Sequence, residues 1–318
     1  MHPALLSSAF GLDLLMGDPL WLPHPVRLMG KGITVLETLL RRWIVPRFGE
    51  KLAGCLLLTT LVLLVFAVTT LIIAIGMWIH PALGMGFMLY FAYTCLATKS
   101  LGDAASGVRD ALESASLPLA QKRLSQIVSR ETDALSEKSV IRATVETVAE
   151  NTSDGIIAPL FYLALGGPPL AMAYKAINTL DSMVGYQNKS YQHFGWASAK
   201  CDDWANFLPA RLSGFLMCFA ASFHFRRGLQ AFKIMSRDGQ KHDSPNAGIS
   251  EAATAGALGI QLGGPNLYKG VLKEKPWLGE AEQKPEIRHI QDSIRLMRSA
   301  AMLMCFALVS MEIVVGSL

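Results

Sequence analysis

The sequence is poor in charge and lacks the motifs that announce soluble catalysis. Only 17% of its 318 residues are Asp, Glu, Lys or Arg, against 51% apolar residues, and the mean hydropathy is +0.33. That balance is skewed away from an ordinary soluble domain. There is no GxxxxGK[ST] loop, no GxGxxG after a strand, no GxSxG elbow and no HExxH, so any use of ATP runs through a site outside those motifs. The five cysteines (Cys55, Cys95, Cys201, Cys218 and Cys305) form no CxxC pair and lie mostly in apolar stretches. They read as small core residues, which argues against a disulfide framework or a zinc site. No nucleic-acid motif accompanies the net charge of +4. No long repeat, low-complexity linker or alternating strand pattern of useful length is present, and the expected fold is all-α.

What is present is hydrophobic length. From Leu52 to Thr98 there is no charged residue at all. A spanning helix needs about 20 apolar residues, so this run holds two spans. His80-Pro81 marks their turn, because proline cannot continue the preceding helix's hydrogen bonding. The competing reading, a soluble hairpin of buried helices, conflicts with the polar face that soluble helices keep. Further span candidates are Ser299 to Leu318 and the stretch 205–225. Pro3 to Met16 is a weaker one, apolar except for Asp13; without a basic leader it is no cleaved signal peptide. Gly155 to Tyr174 is uncharged but interrupted by Pro159, Gly166, Gly167, Pro168 and Pro169, which predicts a re-entrant segment or two half-helices. The reading is thus one polytopic membrane-embedded domain over 1–318 with about 4–6 embedded helices. In order it has the hairpin 52–98, a helical segment 99–154, the broken segment and polar site 155–211, the span 205–225, a basic region 226–298 and the span 299–318. Apolar periodicity predicts helix over 120–151. Segment 17–51 holds six Lys/Arg, 99–154 seven and 223–298 twelve, while the His80 turn has none. Positive-inside bias places the three polar segments in the cytoplasm.

The polar chemistry concentrates between residues 142 and 211. Arg142, Glu146, Glu150 and Asp154 recur every four residues, one stripe of a helix. Three carboxylates on a stripe repel unless a cation or hydrogen bonds offset them, and an oxygen-ligated Mg²⁺ would do so. A solvated face with an Arg142–Glu146 pair is the plainer alternative, but the stripe ends against the broken apolar segment, where ionisable groups tend to be functional. Lys175, Asn178 and Asp181 share a second face at intervals of three, as either polar glue between helices or a phosphate–metal holder. Asp202, Asp203, Asn206 and Arg211 follow, as a cap cluster or as ligands. Two flanking patches carry His24 with Arg27, and His242 with Asn246; Ser244 or Asn246 would cap the small-residue helix that starts near Glu251.

The stretches GDPLWLPHPVRLMG, VETVAENTSDGIIAPLFY, YKAINTLDSMVGY, DDWANFLPARL and RDGQKHDSPNAGISEAATAGAL, in this order, closely resemble the adenosylcobinamide-phosphate synthase family (CobD/CbiB) of cobalamin biosynthesis. The resemblance covers almost the whole chain. It implies a multi-pass enzyme of the bacterial cytoplasmic (inner) membrane, with its site facing the cytoplasm. Such an enzyme joins adenosylcobyric acid to (R)-1-amino-2-propanol O-2-phosphate, consuming ATP with Mg²⁺ and passing through an acyl-phosphate. No tightly bound prosthetic group is expected, since the corrinoid is substrate. Expected partners are the two substrates, the lipid bilayer, other late cobalamin-pathway membrane enzymes and a second copy of the chain, with no nucleic acid. On this resemblance Glu146, Glu150, Asp154 and Asp181 would form the metal–phosphate site. Lys175, Arg142 and Arg211 would contact phosphates, with Asn178 and Arg27 as further ligand-binding candidates. Asp202 or Asp203 would bind a second metal or take the amine proton. His24, His242 and Asn246 would contact the proton or phosphates. A transporter shares the spans and the broken helix, but shows inverted repeats that are absent here. A sensor of the AmpE type would not need both the VETVAEN and the NTLDSM stretches.

Overall fold

The computed structural model describes residues 3–19, 21–186, 188–268 and 271–316. The helices begin with α1 (Pro3–Met16), α2 (Pro25–Trp43), the one-turn α3 (Val45–Phe48), α4 (Glu50–Ile79) and α5 (Pro81–Thr94). Next come α6 (Thr98–Glu113), α7 (Leu117–Leu124), α8 (Glu137–Thr152), a π turn (Ser153–Ile157) and α9 (Ala158–Val184). The rest are α10 (Trp196–Ala205), α11 (Phe207–His224), α12 (Gly228–Asp238), α13 (Ala247–Leu258) and α14 (Arg288–Gly316). An antiparallel hairpin of β1 (Leu262–Tyr268) and β2 (Val271–Leu278) precedes α14. The chain packs as two compact units. Unit 1 is Met1–Ala97, Ala158–Asn206 and Ala307–Leu318; unit 2 is Thr98–Ile157 and Phe207–Phe306.

The all-α membrane architecture is as expected. Among the described residues four helical stretches are long and apolar enough to cross a bilayer: Glu50–Ile79, Pro81–Glu113, Glu137–Val184 and Arg288–Val314. Pro3–Met16 is a shorter apolar helix. Only 17% of the apolar window of α4 is buried, so most of its surface is left for lipid. His80 breaks the α4–α5 hairpin at the expected place: it is extended, and its side chain accepts from the Ala82 N–H before Pro81 opens the next helix. Within unit 1 the two helices touch at glycines, where a Cβ on Gly84 would lie 2.7 Å from the Met77 nitrogen.

Several sequence boundaries need correction. The last helix starts at Arg288, not near Ser299, because charges such as Arg295 and Arg298 keep a helix out of the membrane without ending it; residues 317–318 of that span lie outside the described residues. Helix does not run through 120–151. It stops at Leu124 and resumes at Glu137, where the Ser136 hydroxyl accepts from the Ser139 N–H as a cap. The stretch 205–225 yields α11, which is not among the four spanning stretches; it packs Met217, Ala220 and Ala221 into the unit 2 core with Ala231, Met235, Ala253 and Ala257. A strand pair also forms where no alternation foretold one. Gly263 and Gly264 take φ of 85° and 80° at a register shift, a bulge that glycine permits. The broken segment is two half-helices: α9 loses helical geometry at Gly166 and Gly167 and restarts at Pro168-Pro169.

Gly84→Ala should cost about 1–3 kcal/mol by overpacking and lower the melting temperature in detergent. Gly86→Ala on the same helix, whose Cβ meets open space, should leave it unchanged.

Candidate functional site

The predicted site residues divide between the units, and each set is built by its own unit. In unit 1, Arg41 fixes the approach to α10. Its guanidinium donates to Glu37 and to the Ser190 carbonyl, both at 2.8 Å, and lies 4.2 Å from the Phe194 ring centroid. Its stem and fork thereby hold the segment before α10, and with it Asp202. The Tyr174 hydroxyl donates to Asn206 Oδ1 at 2.8 Å, and Asn206 Nδ2 donates to Asp202 Oδ2 at 3.0 Å. Asn178 Nδ2 donates to the other Asp202 oxygen at 3.4 Å. The Tyr162 ring stacks on Tyr174 at 4.9 Å, and its hydroxyl donates to the Ala205 carbonyl. Both Asp202 oxygens are engaged, in a network that ties α9 to α10.

Asp203 pairs with Lys200 at 3.1 Å. Lys175 and Asp181 are partly buried on α9. His24 Nε2 lies 3.1 Å from Asp18 Oδ1, and Arg27 is exposed.

Unit 2 holds the more deeply buried charge. Glu146 on α8 accepts from Arg130 Nη2 at 2.6 Å and from the Gly263 N–H at 2.7 Å. The side chains of this ion pair are 7% and 5% exposed. The break before α8 lets Arg130 turn back onto Glu146, and the glycine bulge of β1 turns a backbone donor toward it. The Arg142–Glu146 pair of the solvated-face reading is replaced: Arg142 lies 4.9 Å over the Trp277 ring. Glu150 sits one turn beyond Glu146 and is partly buried. Asp154 falls in the π turn, whose wider spacing takes it off the four-residue stripe.

α13 packs against α8 and brings Glu251, 2% exposed. Its charged neighbours are Glu146, Lys275, Glu150 and Arg130. Burial first, and the Glu146 carboxylate second, hold Glu251 well above the usual carboxylate range. His242 faces Lys275 and Glu146, and burial lowers its pKa from 6.5 to about 4. Its Nδ1 accepts from the Ser244 N–H at 3.0 Å, so Nε2 carries the proton of the neutral ring. That Nε2 is buried without a partner. Asn246 occupies the N-cap position of α13 without a side-chain cap bond; the Ser244 hydroxyl accepts from the Asn246 and Ala247 N–H groups instead, while Asn246 Oδ1 accepts from Arg211 at 3.3 Å.

The spacing thus located Glu146, Glu150, Arg142 and His242 in one unit, and Lys175, Asn178, Asp181 and Asp202 in the other. It missed Arg130, Glu251 and Lys275. Only Glu251 carried a signal, as the single charge in an otherwise small and apolar helix. Among the described residues no group of three or more His, Cys, Asp or Glu is arranged to hold a metal ion. Glu146, with both oxygens bonded, does not fit such a role.

A family model described as "CobD/Cbib protein" matches residues 6–297. Relatives include "Cobalamin biosynthesis protein CobD" of Geobacter metallireducens, 50% identical over 95% of this chain and 94% of that protein. The CobD of Pelobacter propionicus is 46% identical over 95% and 93%, respectively. "Cobalamin biosynthesis protein CbiB" of Salmonella typhimurium is 46% identical over 93% and 92%. No solved structure matches.

Two measurements follow from this geometry. Arg130→Ala leaves Glu146 buried without its partner and should cost about 3–5 kcal/mol, read as a lower melting temperature. His242 stays neutral in the fold to about pH 4 but protonates near 6.5 when unfolded. Its contribution, about 3 kcal/mol, is therefore complete above pH 6.5 and lost as pH falls toward 4. His242→Gln should flatten that part of the stability–pH curve relative to the parent.

Proposed function

The chain belongs to the CobD/CbiB family of cobalamin biosynthesis proteins, and from that premise we propose that it is an ATP-dependent acid–amine ligase. Its substrates on this reading are adenosylcobyric acid and (R)-1-amino-2-propanol O-2-phosphate, and its product is adenosylcobinamide phosphate. A carboxylate does not acylate an amine at neutral pH. The γ-phosphoryl group of ATP is therefore transferred to the corrinoid propionate, giving an acyl-phosphate and ADP. The amine nitrogen then attacks the acyl carbon, inorganic phosphate leaves, and the nitrogen's proton passes to a protein carboxylate. Positioning and charge neutralisation are what the protein must supply.

The observation that carries this reading is the set of ionisable side chains enclosed in unit 2: Arg130, Glu146, Glu150, His242, Glu251 and Lys275. Enclosing so many charges costs stability unless a ligand uses them. We assign Glu146 to holding Arg130 and the β1 bulge in place. Within unit 2, Arg142 and Arg211 are assigned to phosphate contact with Asn246 in support; within unit 1, Lys175 takes that assignment with Asn178, His24 and Arg27 in support. Asp202 and Asp203 remain the unit 1 candidates for proton transfer, and their present partners must yield for either to act. Mg²⁺ is assigned to the triphosphate it would enter with, where it would neutralise phosphate charge; Asp154 within unit 2 and Asp181 within unit 1 are alternative candidates for its outer contact. The spanning helices make the chain a multi-pass membrane protein. We place it in the bacterial cytoplasmic membrane with its chemistry on the cytoplasmic side, where the bilayer retains a large corrinoid near the next enzyme.

Purified protein given both substrates and ATP should form the amide with matching ADP release, and none without ATP. Lys175→Ala should lower kcat/KM by about 10–100-fold, the loss of one charged hydrogen bond. Absence of ATP-dependent amide from the parent protein would overturn the ligase assignment.

A further inference from the structure

We propose that the enclosed charge of unit 2 is the seat of the amino phosphate co-substrate, with Glu251 and Glu150 receiving its ammonium and His242 and Lys275 facing its phosphate. This rests on the ligase reading and adds Glu251 as a binding residue.

The first argument is charge. The groups facing Glu251 are Glu146, Glu150, Lys275 and Arg130. With Glu251 itself there are three carboxylates against two cations, and Arg130 is already paired with Glu146. Burial keeps Glu251 in its acid form while no further cation is present, and an incoming ammonium is the cation that lets it ionise. The second is hydrogen bonding. Among the described residues neither Glu150 nor Glu251 takes part in a hydrogen bond or ion pair, although Glu251 is 2% exposed. A buried carboxylate without donors is costly, and an ammonium carries three donors. The third is the orphan donor. His242 uses Nδ1 as an acceptor, so its buried Nε2–H lacks an acceptor of its own. An anionic oxygen would satisfy it.

The site therefore asks for one cation and one anionic oxygen together. A nucleotide supplies only the second and a simple amine only the first; a small amino phosphate supplies both. Glu150 keeps some solvent access and Glu251 almost none, so the ammonium would enter past Glu150. There the neutral amine is released by one proton transfer: R–NH₃⁺ plus the Glu251 carboxylate gives R–NH₂ and the Glu251 carboxylic acid.

Calorimetric titration of aminopropanol phosphate into the detergent-purified chain tests this beside steady-state kinetics. Glu251→Gln should weaken binding at least tenfold and raise the KM for aminopropanol phosphate at least tenfold. The KM values for ATP and adenosylcobyric acid should stay within about twofold. Glu251→Asp, which keeps the charge, should recover part of the loss. Isopropyl phosphate, lacking the amine, should bind Glu251→Gln as it binds the parent but lose affinity in His242→Gln. A Glu251→Gln protein that melts like the parent and binds and uses aminopropanol phosphate unchanged overturns the proposal, as does an equal rise in all three KM values. If the parent forms amide while Glu251→Gln is unaffected, the seat is wrong and the ligase reading stands. If the parent binds aminopropanol phosphate through Glu251 yet forms no amide, the ligase reading fails and the seat stands.

Discussion

The carboxylate of Glu146 is the point on which unit 2 is organised. One oxygen takes the Arg130 guanidinium and the other takes a backbone N–H from the β1 bulge, so a helix, a loop and a strand meet at one side chain. Ion pairs this deep repay their desolvation only with good geometry and additional hydrogen bonds. Both conditions are met here, and each depends on a local backbone decision. Had helix continued through 125–136, Arg130 would lie far along the same rod. Had residue 263 been anything but glycine, a Cβ would have struck the Pro276 carbonyl, and the bulge that turns its N–H toward Glu146 would be strained.

The same economy explains α13. Every residue from Ala247 to Leu258 is buried, and most are Ala or Gly. Small side chains let helices approach closely: a Cβ on Gly256 would lie 2.7 Å from the Ala231 Cα. Close approach brings a low dielectric to whatever charge is embedded there, which strengthens its interactions and raises the cost of leaving it unmatched. Glu251 is that charge. A helix selected only for packing would carry an alanine at this position.

Legibility in the sequence followed range. The α4–α5 hairpin and its His80 turn were readable because they depend on composition and a proline over adjacent residues. The half-helix break at Gly166–Gly167 was readable for the same reason. The start of α14 was not, since charge patterning reports where membrane ends and says nothing of where helix ends. The site was half legible. Periodicity found Glu146 and Glu150 because they lie on one helix, and likewise Asn178 with Asp181. Arg130 and Lys275 reach the unit 2 cluster through a loop and a strand, and no spacing rule encodes such a meeting. The stripe also overreached at Asp154, because a π turn cannot be foreseen from residues that all favour an α-helix.

The two polar sets differ in a way that bears on their roles. In unit 1, Asp202 is satisfied on both oxygens by two amides, and Tyr174 completes the chain of donors. A network closed on itself rigidifies α9 against α10 and has little capacity left for a ligand. In unit 2 the network is open: Glu146 is saturated, while Glu150, Glu251 and the Nε2–H of His242 are not. Unmatched groups of opposite demand, held by a saturated neighbour, are what preorganisation requires. The fold has already ordered the side chains, so a ligand bringing the missing charge loses less affinity to that ordering. The closed network stiffens its helices, while the open one keeps groups that a ligand could satisfy.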